Sequence, residues 1–207
     1  MRKLSRVCAV AVAVAVVCLG YGAPADPQPT PVQAIDALHA VLLDVMKNAA
    51  SLGYEGRAAK LRPVIPRYFD VPFMAEKSVG PYWKRATDAE RARYLEAFLG
   101  FMVANYAGQF NGWKGQSFET LGEEPARMDT RIVRSKLIDP TDENVELNYR
   151  MHLTPAGWQI IDVYLDGTVS ELALRRSEFA GIVKRENFGA LITALNEKIA
   201  KLASGKS

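Results

Sequence analysis

The feature that most constrains this chain is a change of hydrophobic period just after Phe110. Up to Phe110 the apolar residues recur at helical spacing. From Gln116 they alternate, over Gln116 to Leu121, Thr130 to Ile138, Asn144 to Thr154 and Trp158 to Leu165. Side chains on a strand point to opposite faces in turn, so such alternation predicts strands. The third is clearest. Val145, Leu147, Tyr149, Met151 and Leu153 share one face, and Glu146, Asn148, Arg150 and His152 the other. The links "DPTDEN" and "TPAG" are short and rich in turn residues, so consecutive strands should pair antiparallel. Helical spacing resumes after Leu165. Helices, then an antiparallel meander, then helices define an α+β fold: a curved four-stranded sheet wrapped by helices.

The flanking helices differ in how much apolar surface they carry. Val32 to Leu52 is amphipathic, with Gly53 as its stop and His39 on the apolar arc as an interior histidine. Tyr54 to Tyr68 is a second helix interrupted by Pro63 and Pro66. Asp70 caps a short helix with Pro72 in its first turn, and Gly80-Pro81 ends it. Thr87 and Glu90 form a capping box for the strongest helix, which runs to Phe110. Its apolar residues, among them Tyr94, Phe98, Phe101, Met102 and Tyr106, cover an arc of roughly 200° at 100° per residue. One sheet face needs about half that arc, so this helix meets apolar material on more than one side. Ala97, Gly100 and Ala104 form a small-residue stripe that admits a neighbouring backbone. After the strands, Thr168 and Glu171 suggest another capping box, with a break near Arg175-Arg176-Ser177. Phe188 to Leu202 carries a narrow apolar stripe, the mark of a one-sided docking helix.

The N-terminus has a different character. Arg2, Lys3 and Arg6 precede 13 uncharged residues, Val7 to Leu19, and Ala23-Pro24-Ala25 supplies small residues for cleavage. This is the pattern of a secretory signal peptide, residues 1–25, followed by an extended Pro-rich leader, 26–31, and one domain, 32–207. A membrane span needs about 20 apolar residues. Cleavage removes both cysteines, Cys8 and Cys18, leaving no thiol for a disulfide, a metal or a nucleophile. It also removes Arg2, Lys3 and Arg6 from 26 basic residues, leaving 23 against 23 acidic. A neutral chain offers no surplus charge for nucleic acid.

No catalytic or metal motif emerges. Gly112 and Gly115 lack the Lys-Ser/Thr pair of a phosphate loop. His39 and His152 lie on unrelated elements, with His152 on the polar, solvated strand face, and "DPTDEN" lacks the spacing of a calcium loop. The chain therefore predicts no catalytic residue, no metal and no cofactor. Asp162 is the one acid in an apolar strand, on a face with Trp158, Ile160 and Tyr164. It is either a general base of a small cone-shaped enzyme or a structural tie to Arg131, Arg134, Arg150 or N–H groups at a helix start. The structural role is the better reading, because no second polar group is at hand to polarise a substrate.

The ordered features resemble the toluene-tolerance, or MlaC-type, periplasmic auxiliary proteins. Phe69-Asp70, Trp83, the Thr87–Arg91 cap, Tyr94, Phe98 and Tyr106 match in order. So do the Trp158-x-Ile160-x-Asp162-Val163 strand and the Arg176–Phe179 segment. "DVYLDGTVSELALRRSEF" looks more like the hopanoid-associated HpnM branch than the phospholipid-carrying branch. The resemblance implies an NTF2-like or cystatin-like sheet with a helical subdomain, and an apolar cavity between sheet and helices. It implies a periplasmic lipid shuttle, not an enzyme, with hopanoid or phospholipid as ligand. Its partners would be an inner-membrane ABC transporter or other lipid-export complex and an outer-membrane acceptor or donor complex. The alternatives are the Asp162 enzyme and a solid-cored envelope scaffold. On the shuttle reading, the lipid-binding residues are Phe69, Met74, Phe98, Met102, Tyr106, Tyr149, Met151, Ile160, Val169 and Leu172.

Overall fold

The computed structural model describes residues 28–205. The expected signal peptide and the first residues of the leader lie outside the described residues. Helix α1, Pro31–Lys47, begins one residue inside the expected leader, because Thr30 and Gln33 close a capping box around Pro31. The expected helix to Leu52 is broken once, at Asn48, which separates α1 from α2, Ala49–Leu61; Gly53, the expected stop, is non-helical with φ 59° and kinks α2. Pro63 and Pro66 then confine α3 to Ile65–Tyr68. Asp70 accepts a hydrogen bond from Phe73 N at 3.0 Å and caps α4, Val71–Val79, which Gly80 terminates. A 3-10 turn, Gly80–Arg85, leads to α5, Asp88–Gln109, which starts at the Thr87–Glu90 box.

The sheet is an open antiparallel meander in sequence order. It comprises β1, Ser117–Ala126, β2, Thr130–Ile138, β3, Val145–Thr154, and β4, Gly157–Leu165. A fifth strand, β5, Val169–Ser170, adds to β4 and was not expected from four alternating runs. Two residues are too few to show a period. β1 is longer than its alternating run because a bulge at Leu121 breaks the alternation between Thr120 and Gly122. After β5 comes α6, Glu171–Arg185, capped by Ser170 and unbroken at Arg175–Ser177. The expected Thr168–Glu171 box does not form, since the chain stays extended through Ser170. Helix α7, Phe188–Ala203, capped by Asn187, closes the fold.

The core follows from these placements. Leu38, Leu42 and Val45 of α1, Phe98 of α5, Tyr149 and Met151 of β3, and Leu191 and Leu195 of α7 are all buried. The broad apolar arc of α5 is explained by its position between the sheet side and α7. A Cβ added at Gly100 would stand 3.2 Å from Ile199 Cδ1, and one at Gly108 3.2 Å from Leu202 Cδ2. The small-residue stripe is where α7 lies against α5. Tyr94, buried in this layer, shares a 2.6 Å hydrogen bond with Ser78.

Candidate functional site: an apolar cavity between sheet and helices

A cavity of about 90 Å³ lies between β3, β4, α5 and α6, with the α3–α4 junction at one side. Helix α5 gives Phe98, Phe101, Met102 and Tyr106, spaced so that one face looks into it. The strands give Leu147, Tyr149, Val163 and Leu165 from their inner face. Phe69 and Met74 close one side and Leu172 of α6 another. The aromatic walls hold one another: Phe69 meets Tyr106 edge-on with centroids 5.4 Å apart, and Tyr106 stacks on Phe110 at 5.6 Å.

Seven of the ten residues expected from the sequence line this cavity: Phe69, Met74, Phe98, Met102, Tyr106, Tyr149 and Leu172. Three do not. Met151 and Ile160 face each other across β3 and β4 and are fully buried under Phe69, which bridges to Ile160. Asp70 N donates to Ile160 O at 3.0 Å, so the α3–α4 junction seals that end of the sheet. Val169 precedes the helix rather than opening it, and on β5 it is 43% exposed. Sequence reasoning passed over Phe101, Phe110 and Leu147, although all three sit in the apolar patterns already read. It also passed over the polar set Asn105, Gln109, Glu171 and Arg175, which no apolar periodicity signals.

The polar atoms near the cavity are mostly accounted for. His39 is buried, its ring stacked 4.0 Å from Phe118, and its Nε2 lies 3.1 Å from the Tyr149 hydroxyl. Its Nδ1 is buried without a partner. An unpaired lone pair costs less than an unpaired N–H, which places the proton on Nε2, donating to Tyr149. Next to it on β2, the Ser135 hydroxyl donates to Leu147 O at 2.6 Å. Burial holds the His39 pKa down at about 4, against the opposing pull of Asp36. Burial likewise pushes Tyr149 and Tyr106 above the ordinary phenol range, with Tyr149 and Glu171 adding to the effect on Tyr106. Both phenols are neutral donors.

Asp162 is outside the cavity wall. A bulge opposite Met151 makes Ile161 the extra residue, so Asp162 pairs with Arg150 on the outer face. It does not share a face with Ile160, as strict alternation would require. Its Oδ1 accepts from Val163 N at 2.9 Å and Leu172 N at 3.0 Å, and its Oδ2 from Ser170 Oγ at 2.6 Å. Of the candidate partners, the N–H groups at a helix start are the real ones. Arg150 instead donates to Thr130 Oγ1 and Arg127 O. His152, expected in solvent, stands 2.9 Å from Asp70 Oδ2 and half under Phe73. Among the described residues no three His, Cys, Asp or Glu side chains gather as a metal site.

The family model for the MlaC protein matches residues 36–197, from the first turns of α1 to α7. The chain belongs to the MlaC family. The proteins of this family are periplasmic lipid carriers and not enzymes. A solved phospholipid-binding protein from Ralstonia solanacearum, in complex with a phospholipid, has the same fold. It is 22% identical, with a TM-score of 0.71 over 82% of this chain and 97% of its own. In this MlaC-family chain, no helix among the described residues is long and apolar enough to cross a membrane.

Proposed function

We propose that this MlaC-family protein is a periplasmic shuttle carrying one membrane lipid at a time between an inner-membrane ABC transporter complex and an outer-membrane complex. The observation that carries the reading is the carbon-walled cavity between sheet and helices, in a chain of a lipid-carrying family. A lipid leaving a bilayer exposes its chains at about 0.8 kcal/mol per CH₂, and an apolar interior restores that without catalytic groups. The residues we assign to the ligand are Phe69, Met74, Phe98, Met102, Tyr106, Tyr149 and Leu172, all on the cavity wall. Export would use the N-terminal signal, with cleavage after Ala25, leaving a short leader, residues 26–31, ahead of one lipid-binding domain, residues 32–207.

For the ligand we propose hopanoid or phospholipid. The segment Asp162–Phe179 favours the hopanoid-associated HpnM branch. The phospholipid in the Ralstonia protein favours the other class. Protein purified from its native host should yield one lipid class on solvent extraction and mass spectrometry. Protein that arrives lipid-free and refuses both offered classes would overturn the shuttle.

A further inference from the structure

We propose that Arg175 and Tyr106 form a polar site at the rim of the cavity for the phosphate diester of a lipid head group. In the empty protein, Glu171 takes the place of that phosphate. The proposal rests on the shuttle reading and narrows its ligand.

The cavity is walled by carbon except where α5 and α6 face each other. There Arg175 Nη2 donates to Glu171 Oε2 at 3.0 Å. The two side chains are 26% and 25% exposed, the position of groups between the cavity and solvent. That bond uses one of five guanidinium N–H groups, and no other hydrogen bond of Arg175 is found among the described residues. The guanidinium lies 4.9 Å over the ring of Phe101, itself a cavity wall. Stacking on a fixed ring holds the fork in place with its remaining donors free. Tyr106 supplies the second observation. Its ring lines the same cavity as Arg175 and Glu171, its hydroxyl is neutral, and that hydroxyl has no hydrogen-bond partner among the described residues.

An i, i+4 ion pair at a partly wet rim contributes little to stability. A preorganised arginine fork can hold two oxygens of a phosphate at once, whereas Glu171 takes only one bond from it. A phosphate diester has two unbridged oxygens, enough to engage the free fork and the Tyr106 hydroxyl together, while Glu171 swings into water. A hopanoid alcohol of equal apolar bulk would leave the fork on Glu171 and gain nothing from it.

The test delivers phosphatidylglycerol, diacylglycerol of the same chains, or a hopanoid alcohol from detergent micelles to delipidated protein, and measures occupancy by native mass spectrometry. The wild type should load phosphatidylglycerol about tenfold over diacylglycerol. Arg175→Met should bring that ratio near one, and Arg175→Lys should fall between. Glu171→Gln should raise phosphatidylglycerol loading, because it removes the competing anion. If Arg175→Met is misfolded by circular dichroism, the Arg175→Lys and Glu171→Gln results decide. An unchanged ratio in the folded variants overturns the head-group site. So does a wild type that takes only the hopanoid alcohol, which leaves the shuttle standing. So does inorganic phosphate raising the melting temperature as much as the lipid, which would mark a free-phosphate site. A wild type that loads no lipid at all overturns the shuttle itself.

Discussion

At the scale of single residues, the most informative side chains are two buried polar ones that do no chemistry. Asp162 gathers three donors from the end of β4 and the start of α6. Removing it strands the Leu172 N–H and frees the first turn of α6. Asp162→Ala should therefore cost about 2–4 kcal/mol in urea denaturation, and Asp162→Asn less, since the amide oxygen can still accept. His39 makes stability depend on pH. Its folded pKa, about 4, lies below the unfolded value of 6.5. The unfolded chain thus binds more protons between those values, and stability must fall as pH falls from about 6.5 to 4. The loss is about 3 kcal/mol at full effect. Denaturation midpoints at pH 7.5 and pH 4 should differ by less in His39→Gln than in the wild type. Equal pH dependence in both would move the cause elsewhere. The presence of Asp162 in an apolar strand was legible in the sequence. Its face was not, because one bulge residue reverses every later alternation.

At the scale of elements, helix starts written in capping residues were legible and helix starts set by tertiary pairing were not. Thr87–Glu90 and Asp70 cap the helices the sequence assigned them. Thr168–Glu171 has the right spacing but loses to the extra pairing of Val169 and Ser170 with β4. Local propensity and tertiary pairing compete there, and pairing wins over two residues. The turn before β5 explains how the chain comes back along β4. Asp166 and Gly167 both have positive φ, 48° and 74°, and a Cβ on Gly167 would meet Glu146 Oε2 at 2.9 Å. Gly167→Ala should lower the unfolding free energy by at least about 1 kcal/mol and loosen the start of α6. Hydrogen exchange should accelerate at Leu172 and Ala173 before it does in α7. Thr87→Ala, which removes a cap and leaves the cavity alone, should cost about 1 kcal/mol without changing lipid loading.

At the scale of the whole molecule, the cavity is too small for its proposed cargo. About 90 Å³ is room for roughly three waters, whereas ligand sites commonly enclose about 300–1,000 Å³. On the shuttle reading, a whole lipid would need more room between the sheet and α6 than this cavity gives. The sequence could place seven wall residues because apolar periodicity marks inward faces. It could not separate wall from solid core at Met151 and Ile160, because both environments select the same side chains. A cavity-filling change tests the distinction. Val163→Phe, on the inner face of β4, should fill the empty space and leave the melting temperature of the empty protein level or raised. It should also abolish lipid loading. Lipid at 100 times its Kd stabilises the wild type by about 2.7 kcal/mol, and that increment should vanish in the variant. A scaffold with a solid core gives the reverse: Val163→Phe overpacks it, lowers the melting temperature of the empty protein, and leaves no lipid increment to lose in either chain.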